Sequence, residues 1–173
     1  MSAELELEGR IAFITGAAHG QGRSIALKLA AAGADIAAFD VAAKIEYPGY
    51  GQGTPEELQS LKAEIEALGR RALVVAGDVR DAAAVNAAVA ETVEQFGGLD
   101  ILLNNAGIVA YAAADEMTET EWDSMIGINL KGPFLVGRAA IPHLKASPHA
   151  VIVNNSSVMG LRGGNRLSHY VAS

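Results

Sequence analysis

The chain has 173 residues, a formal net charge of −7 and 50% hydrophobic residues, few of them aromatic, which predicts one domain over residues 1–173 able to bury a core of Ala, Val, Ile and Leu. The acidic balance argues against nucleic acid or an anionic membrane as a partner, and the absence of cysteine excludes disulfides, thiolate metal sites and a cysteine nucleophile. The opening MSAELELEGR lacks the basic and apolar regions of a signal peptide, and no apolar run approaches a membrane span, so a cytoplasmic protein is expected.

An apolar run from Ile11 to Ile14 ends in Thr15-Gly16 and leads into a glycine-rich turn with Gly20 and Gly22. Ile25, Ala26, Leu29 and Ala30 then recur at helical spacing, and Gly33 ends that helix. A second apolar run, Ile36 to Phe39, closes on Asp40. Strand, glycine turn, helix, strand and terminal acid make the plan of a dinucleotide-binding unit. Gly16 allows the sharp turn, Gly20 lets the backbone approach a pyrophosphate, and Gly22 lets the helix pack tightly. Asp40 suits hydrogen bonds from an adenosine ribose and repels a 2′-phosphate, favouring NAD over NADP. The competing reading is a glycine turn that binds nothing.

Residues 41–53 follow with neither helical nor strand period, and carry Tyr47, Pro48 and Tyr50 among glycines. So long a connection is either functional or a tolerated surface insertion; as a functional element it would fold its tyrosines over the adenosine end as a lid. Thr54, Pro55 and Glu57 form a capping box and helix start, with Leu58, Leu61, Ile65 and Leu68 as the buried stripe and Gly69 as the stop. Ala72 to Ala76 is a third strand, running into Gly77-Asp78-Val79. Asp81 caps a helix with stripe Val85, Val89, Val93 and Phe96, ended by Gly97. Asp100 to Leu103 is a fourth strand, followed by Asn104-Asn105-Ala106-Gly107.

Thr118 and Glu121 make a second capping box, opening a long helix to about Lys145. Pro133 should free the carbonyl of Asn129 and kink that helix; Asn129 itself either caps the broken turn or serves the site. Ala150 to Val153 is a fifth strand, followed by Asn154-Asn155-Ser156-Ser157 and a glycine-rich loop. Strands alternate with helices, which predicts an α/β, Rossmann-like doubly wound parallel sheet of five strands with right-handed crossovers. Ligands bind such sheets outside the carboxyl ends of the strands. Each polar motif above falls at that edge. His19, His143, His149 and His169 lack metal-ligand spacing and read as solvated or loop histidines, so no metal is expected. The acids between Asp115 and Asp123 read as helix-start and surface charges.

Thr15 to Gly22, Asp78-Val79, Asn104 to Gly107, Asn129, Ser157 and Tyr170 together resemble the short-chain dehydrogenases/reductases, and Ser157 stands thirteen residues before Tyr170 as that family has it. The resemblance implies an NAD(P)-dependent interconversion of a secondary alcohol and a ketone. By position, Tyr170 would be the general acid/base, Ser157 would hydrogen-bond the substrate oxygen, and Asn129 would hold a water in a proton relay. Gly16, His19, Gly20, Gln21, Gly22 and Asp40 would bind the cofactor, with Asp78 and Val79 at its adenine and Asn105, Ala106 and Gly107 along its cleft. The 41–53 insertion is similar to an extended loop of the subgroup coupled to the redox peptide mycofactocin.

The family's Tyr-x-x-x-Lys stops here at Tyr170-Val171-Ala172-Ser173. The chain is therefore expected to be a fragment, or else naturally short. In either case it should be inactive alone, with Tyr170 untied so near the chain end. A full-length parent is expected to be a homo-oligomer. The second reading is an NAD-binding module without catalysis. Val109, Tyr111, Met159, Leu161 and His169 suggest an apolar small-molecule alcohol or ketone.

Overall fold

The apolar runs form five strands, β1 (Ile11–Thr15), β2 (Asp35–Asp40), β3 (Ala72–Ala76), β4 (Ile101–Asn104) and β5 (Val151–Asn154), in a computed structural model that describes residues 5–173. Met1 to Glu4 of the opening segment, read above for a leader, lie outside the described residues. The strands make one parallel sheet in the order β3-β2-β1-β4-β5. Its order reverses at β1, between β2 and β4, which opens a crevice at the carboxyl edge.

Every residue of β1 and β2 is buried. Their alternation divides the core. Phe13, Ala37, Phe39 and Leu102 face one side with Val85, Val89, Met125 and Val136, while Ala12, Ile14, Ile36 and Ala38 face the other with Ala26, Ala30, Leu61 and Ile65. That period of two sends α1 (Gly20–Ala31) and α2 (Pro55–Ala67) to one face. It sends α3 (Ala82–Phe96), α4 (Glu119–Ile126) and α5 (Gly132–Leu144) to the other. A four-residue helix, α6 (Ser168–Val171), carries Tyr170. Both capping boxes are present, at Thr54–Glu57 and Thr118–Glu121, and Asp81 accepts from the N–H groups of Ala83 and Ala84.

The structure differs from the pattern in four places. Leu68 follows the last helical residue of α2, at the turn that leads into β3, and is 47% exposed. β4 and β5 are each shifted one residue on from the apolar pattern, starting at Ile101 and Val151 and ending at Asn104 and Asn154. The expected single kinked helix is α4 and α5 joined by a π-helical turn, Gly127–Lys131, in which the N–H of Gly132 bonds the carbonyl of Gly127. A π turn absorbs one extra residue and so accommodates a proline that cannot donate. Finally, His169 is fully buried, not solvated.

Candidate functional site

The turn after β1 is built by backbone and amides. Thr15 Oγ1 accepts from the N–H groups of Asn105 and Ala106, and Asn105 Nδ2 donates to the carbonyls of Thr15 and Gly16, each at 3.0–3.1 Å. This stitches the ends of β1 and β4 together. A Cβ on Gly22 would run into the Gly16 carbonyl and lie 2.7 Å from Asn105 Nδ2, so the glycine serves packing of the turn on itself. Gly22→Ala is expected to lower stability by about 1–3 kcal/mol through overpacking and to weaken cofactor affinity in parallel. Thermal melts and NADH titration check it, and an unshifted melt with unchanged affinity would contradict it.

Gly20 sits at φ +57 with open space where a Cβ would be. His19, at the N-cap of α1, contributes no side-chain acceptor, so no side chain caps the first-turn N–H groups. An open, uncapped helix start beside a glycine that admits close approach fits a pyrophosphate. Asp40 is buried; its Oδ2 accepts from Ala18 N–H at 2.9 Å and its Oδ1 from Ala42 N–H at 3.0 Å. Each oxygen keeps a further lone pair for a ribose hydroxyl. Arg23, in the first turn of α1, is engaged with the carbonyls of Ala18 and Glu57 and with Ser60 and Glu64.

Two adjoining cavities lie at the carboxyl edge. The first, about 200 Å³, is lined by Gly16, His19, Gly20, Gln21, Asp40, Asp78, Val79, Asn105, Ala106 and Gly107. Of the expected cofactor residues only Gly22 stays behind this wall. The second, about 600 Å³, is lined by Asn129, Ser157 and Tyr170 and shares Gln21 and Asn105 to Ile108 with the first. Of the five residues expected to shape a substrate pocket, only Val109 lines it; Tyr111 and Leu161 are 68% and 90% exposed.

At Asp78 burial pushes the carboxyl up, but the hydrogen bonds and charge of Arg80 outweigh it and hold the group below its ordinary range. Asn129 clamps the loop after β4: its Oδ1 accepts from Ile108 N–H and its Nδ2 donates to Ile108 O, both at 2.9 Å. The same Nδ2 lies 3.1 Å from Ser173 Oγ, which donates to the Tyr170 carbonyl at 2.9 Å. The segment of Tyr170 is therefore tied down, against the expectation for a residue so near the last position. Ser157 Oγ accepts from Met159 N–H at 3.2 Å, capping a short 3₁₀ turn, which leaves its own hydrogen to donate.

The sequence pattern did not single out Asn155, whose Nδ2 donates to Gln21 Oε1 at 2.8 Å and Asn105 Oδ1 at 2.9 Å. It bridges β5 to the glycine turn across the wall between the cavities; the polar pair closing the fifth apolar run was the available signal. The insertion also goes elsewhere than expected. Val41, Ile45 and Gln52 line the first cavity, but Tyr50 lines the second and takes the N–H of Val109 at 3.1 Å, and Tyr47 reaches His169. Among the described residues no three metal-ligating side chains come together, and no helix is long and apolar enough to cross a membrane.

Residues 10–173 match the family pattern described as short chain dehydrogenase. A (−)-trans-carveol dehydrogenase of Rhodococcus erythropolis is 42% identical over 169 residues, 96% of this chain and 61% of that protein. A carveol dehydrogenase of Mycobacterium avium, solved in complex with NAD, is 40% identical with a TM-score of 0.93, over 96% of this chain and 61% of that one. A short chain dehydrogenase of Mycobacterium paratuberculosis bound to NAD is 36% identical with the same TM-score, over 96% and 62%. The chain thus spans about three fifths of the length of these relatives.

Proposed function

The chain belongs to the short-chain dehydrogenase family, and from this we propose that its protein is an NAD-dependent oxidoreductase interconverting an apolar secondary alcohol and a ketone by hydride transfer. The observation that carries the reading is the shared wall: Gln21 and Asn105 to Ile108 face the glycine turn and Asp40 on one side and Ser157 and Tyr170 on the other. A cofactor laid across that wall reaches both. Bound NAD supplies the hydride acceptor.

The chain's own residues do the rest. The first-turn N–H groups of α1 hold the pyrophosphate and Asp40 the adenosine ribose. Tyr170 as the phenolate takes the alcohol proton, or as the phenol returns it to the ketone oxygen, and Ser157 donates to the same substrate oxygen as charge develops there. Asn129 fixes the loop that separates the two cavities, and in this reading its carbonyl, which Pro133 cannot bond, holds a relay water. Leu130, Phe134 and Ile141 stand exposed along the π turn and α5 and support association between copies of the full-length protein. The test is NADH formation by the full-length gene product from a panel of apolar secondary alcohols. Tight NAD binding without turnover on any of them would leave a binding module.

Asp40 sets the cofactor choice in this reading, and Arg23 is already engaged with Glu57, Ser60 and Glu64. Two like charges about 4 Å apart repel by roughly 4 kcal/mol at an effective dielectric of about 20, and a third of that is about tenfold in affinity. NADH is therefore expected to bind at least about tenfold more tightly than NADPH in a fluorescence titration. Equal or tighter NADPH binding would overturn the assignment.

A further inference from the structure

We propose that Tyr47 and His169 are positioning residues: they latch the 41–53 insertion onto α6 and so hold Tyr170 in place. The proposal rests on the reading of Tyr170 as the proton-transfer group. Tyr47 Oη lies 2.9 Å from His169 Nε2, with ring centroids 6.1 Å apart, across a separation of 122 residues. His169 is 0% exposed, and its Nδ1 is buried with no hydrogen-bond partner among the described residues. A leucine or phenylalanine would fill such a site without an unpaired nitrogen, so packing alone does not account for a histidine there. Burial pushes the His169 imidazole below its ordinary value, with Glu121 of α4 opposing, and burial likewise pushes the Tyr47 hydroxyl up. Both groups thus favour their neutral forms, in which the Tyr47–His169 hydrogen bond stands.

The latch bears on Tyr170 through adjacency: His169 and Tyr170 are neighbours in α6. A tie on the His169 ring therefore constrains how this turn presents the side chain beside it. Two such ties flank Tyr170: His169 to Tyr47 on one side, and Ser173 to Asn129 on the other. The insertion is in turn pinned at its far end by Tyr50 on Val109 N–H. It thereby spans from the first cavity to the segment lining the second. Displacing a reacting group by about 1 Å can cost about a hundredfold in rate, and loss of one of two ties is expected to cost about tenfold.

The experiment uses the full-length gene product. Tyr47→Phe keeps the ring and removes the hydrogen bond. It is expected to lower kcat about tenfold with KM and NADH affinity within about twofold, and to raise amide hydrogen exchange of residues 168–173 about fivefold or more. His169→Gln, which keeps a polar partner for Tyr47, should recover much of the kcat that His169→Phe loses. A Tyr47→Phe protein with unchanged exchange at 168–173 overturns the latch. So does one whose NADH affinity falls while kcat stands, because the loop then serves the cofactor alone. Tyr170→Phe in the same assay separates the two readings. If it retains activity, the role of Tyr170 fails, while the exchange measurement still decides the latch.

Discussion

Tyr170→Phe in the full-length gene product is expected to lower kcat for alcohol oxidation about 10²–10⁴-fold while leaving NADH affinity within about twofold. The ring of Tyr170 is half-buried and packs against the core cluster that includes Met125 and Ile128. Phenylalanine preserves that packing, so the fold and the melt should stand. Only the hydroxyl disappears, and with it the group proposed to exchange the alcohol proton. A positioned acid or base contributes about 10²–10⁴ in rate, equivalent to roughly 2.7–5.4 kcal/mol of barrier. A variant retaining more than a tenth of the parent kcat would sink the assignment. One that also lost NADH would place Tyr170 in cofactor binding instead.

A polypeptide of residues 1–173 alone is expected to turn over at least about tenfold more slowly than a product that carries a lysine four residues after Tyr170. An ammonium within about 4–6 Å stabilises a neighbouring phenolate by roughly 1.4–4 kcal/mol, about tenfold to a thousandfold in the proton-transfer step. The sheet adds a second reason. All four residues of β5 are exposed, with Val151, Ile152 and Val153 at 49%, 43% and 46%. An apolar strand edge of that kind offers unpaired backbone to any other chain, and Ser157 stands three residues beyond it. The measurement is a side-by-side assay with NAD and apolar secondary alcohols. Rates within about tenfold of each other would refute the role given to the lysine.

The parts of this structure legible in the sequence were those fixed by neighbours a few residues apart. Thr54 with Glu57, Thr118 with Glu121 and Asp81 with Ala83 are contacts of two or three residues, and each formed as the spacing implied. Alternating strands and helices then dictated a parallel sheet, and the sheet placed the polar motifs at one edge. Leu68 shows where periodicity stops: it keeps the stripe's spacing, but the helix has already ended. Pro133 announced a break, but whether a helix answers by kinking or by a π turn depends on what packs against it, here Val79 close to Gly132. His169 and Tyr47 were beyond reach, because nothing near either residue indicates a partner 122 positions away. The pattern suggested a cofactor lid or a surface insertion for Tyr47 and a solvated or substrate-side loop position for His169, and neither pairs the two.

The position of Asp40 bears on how readily this protein could change its redox currency. Its two carboxylate oxygens hold Ala18 and Ala42, one at the phosphate turn and the other at the start of the insertion. The residue we propose to discriminate against a 2′-phosphate is thus also the residue that joins those two loops. A single substitution toward NADP, such as Asp40→Ala, would leave two backbone N–H groups without acceptors and loosen the pocket it was meant to retune. Adaptation to the phosphorylated cofactor therefore has no one-step route at this position. It would have to pass through a residue such as serine or asparagine, which can still accept from at least one N–H, before a cation arrives nearby.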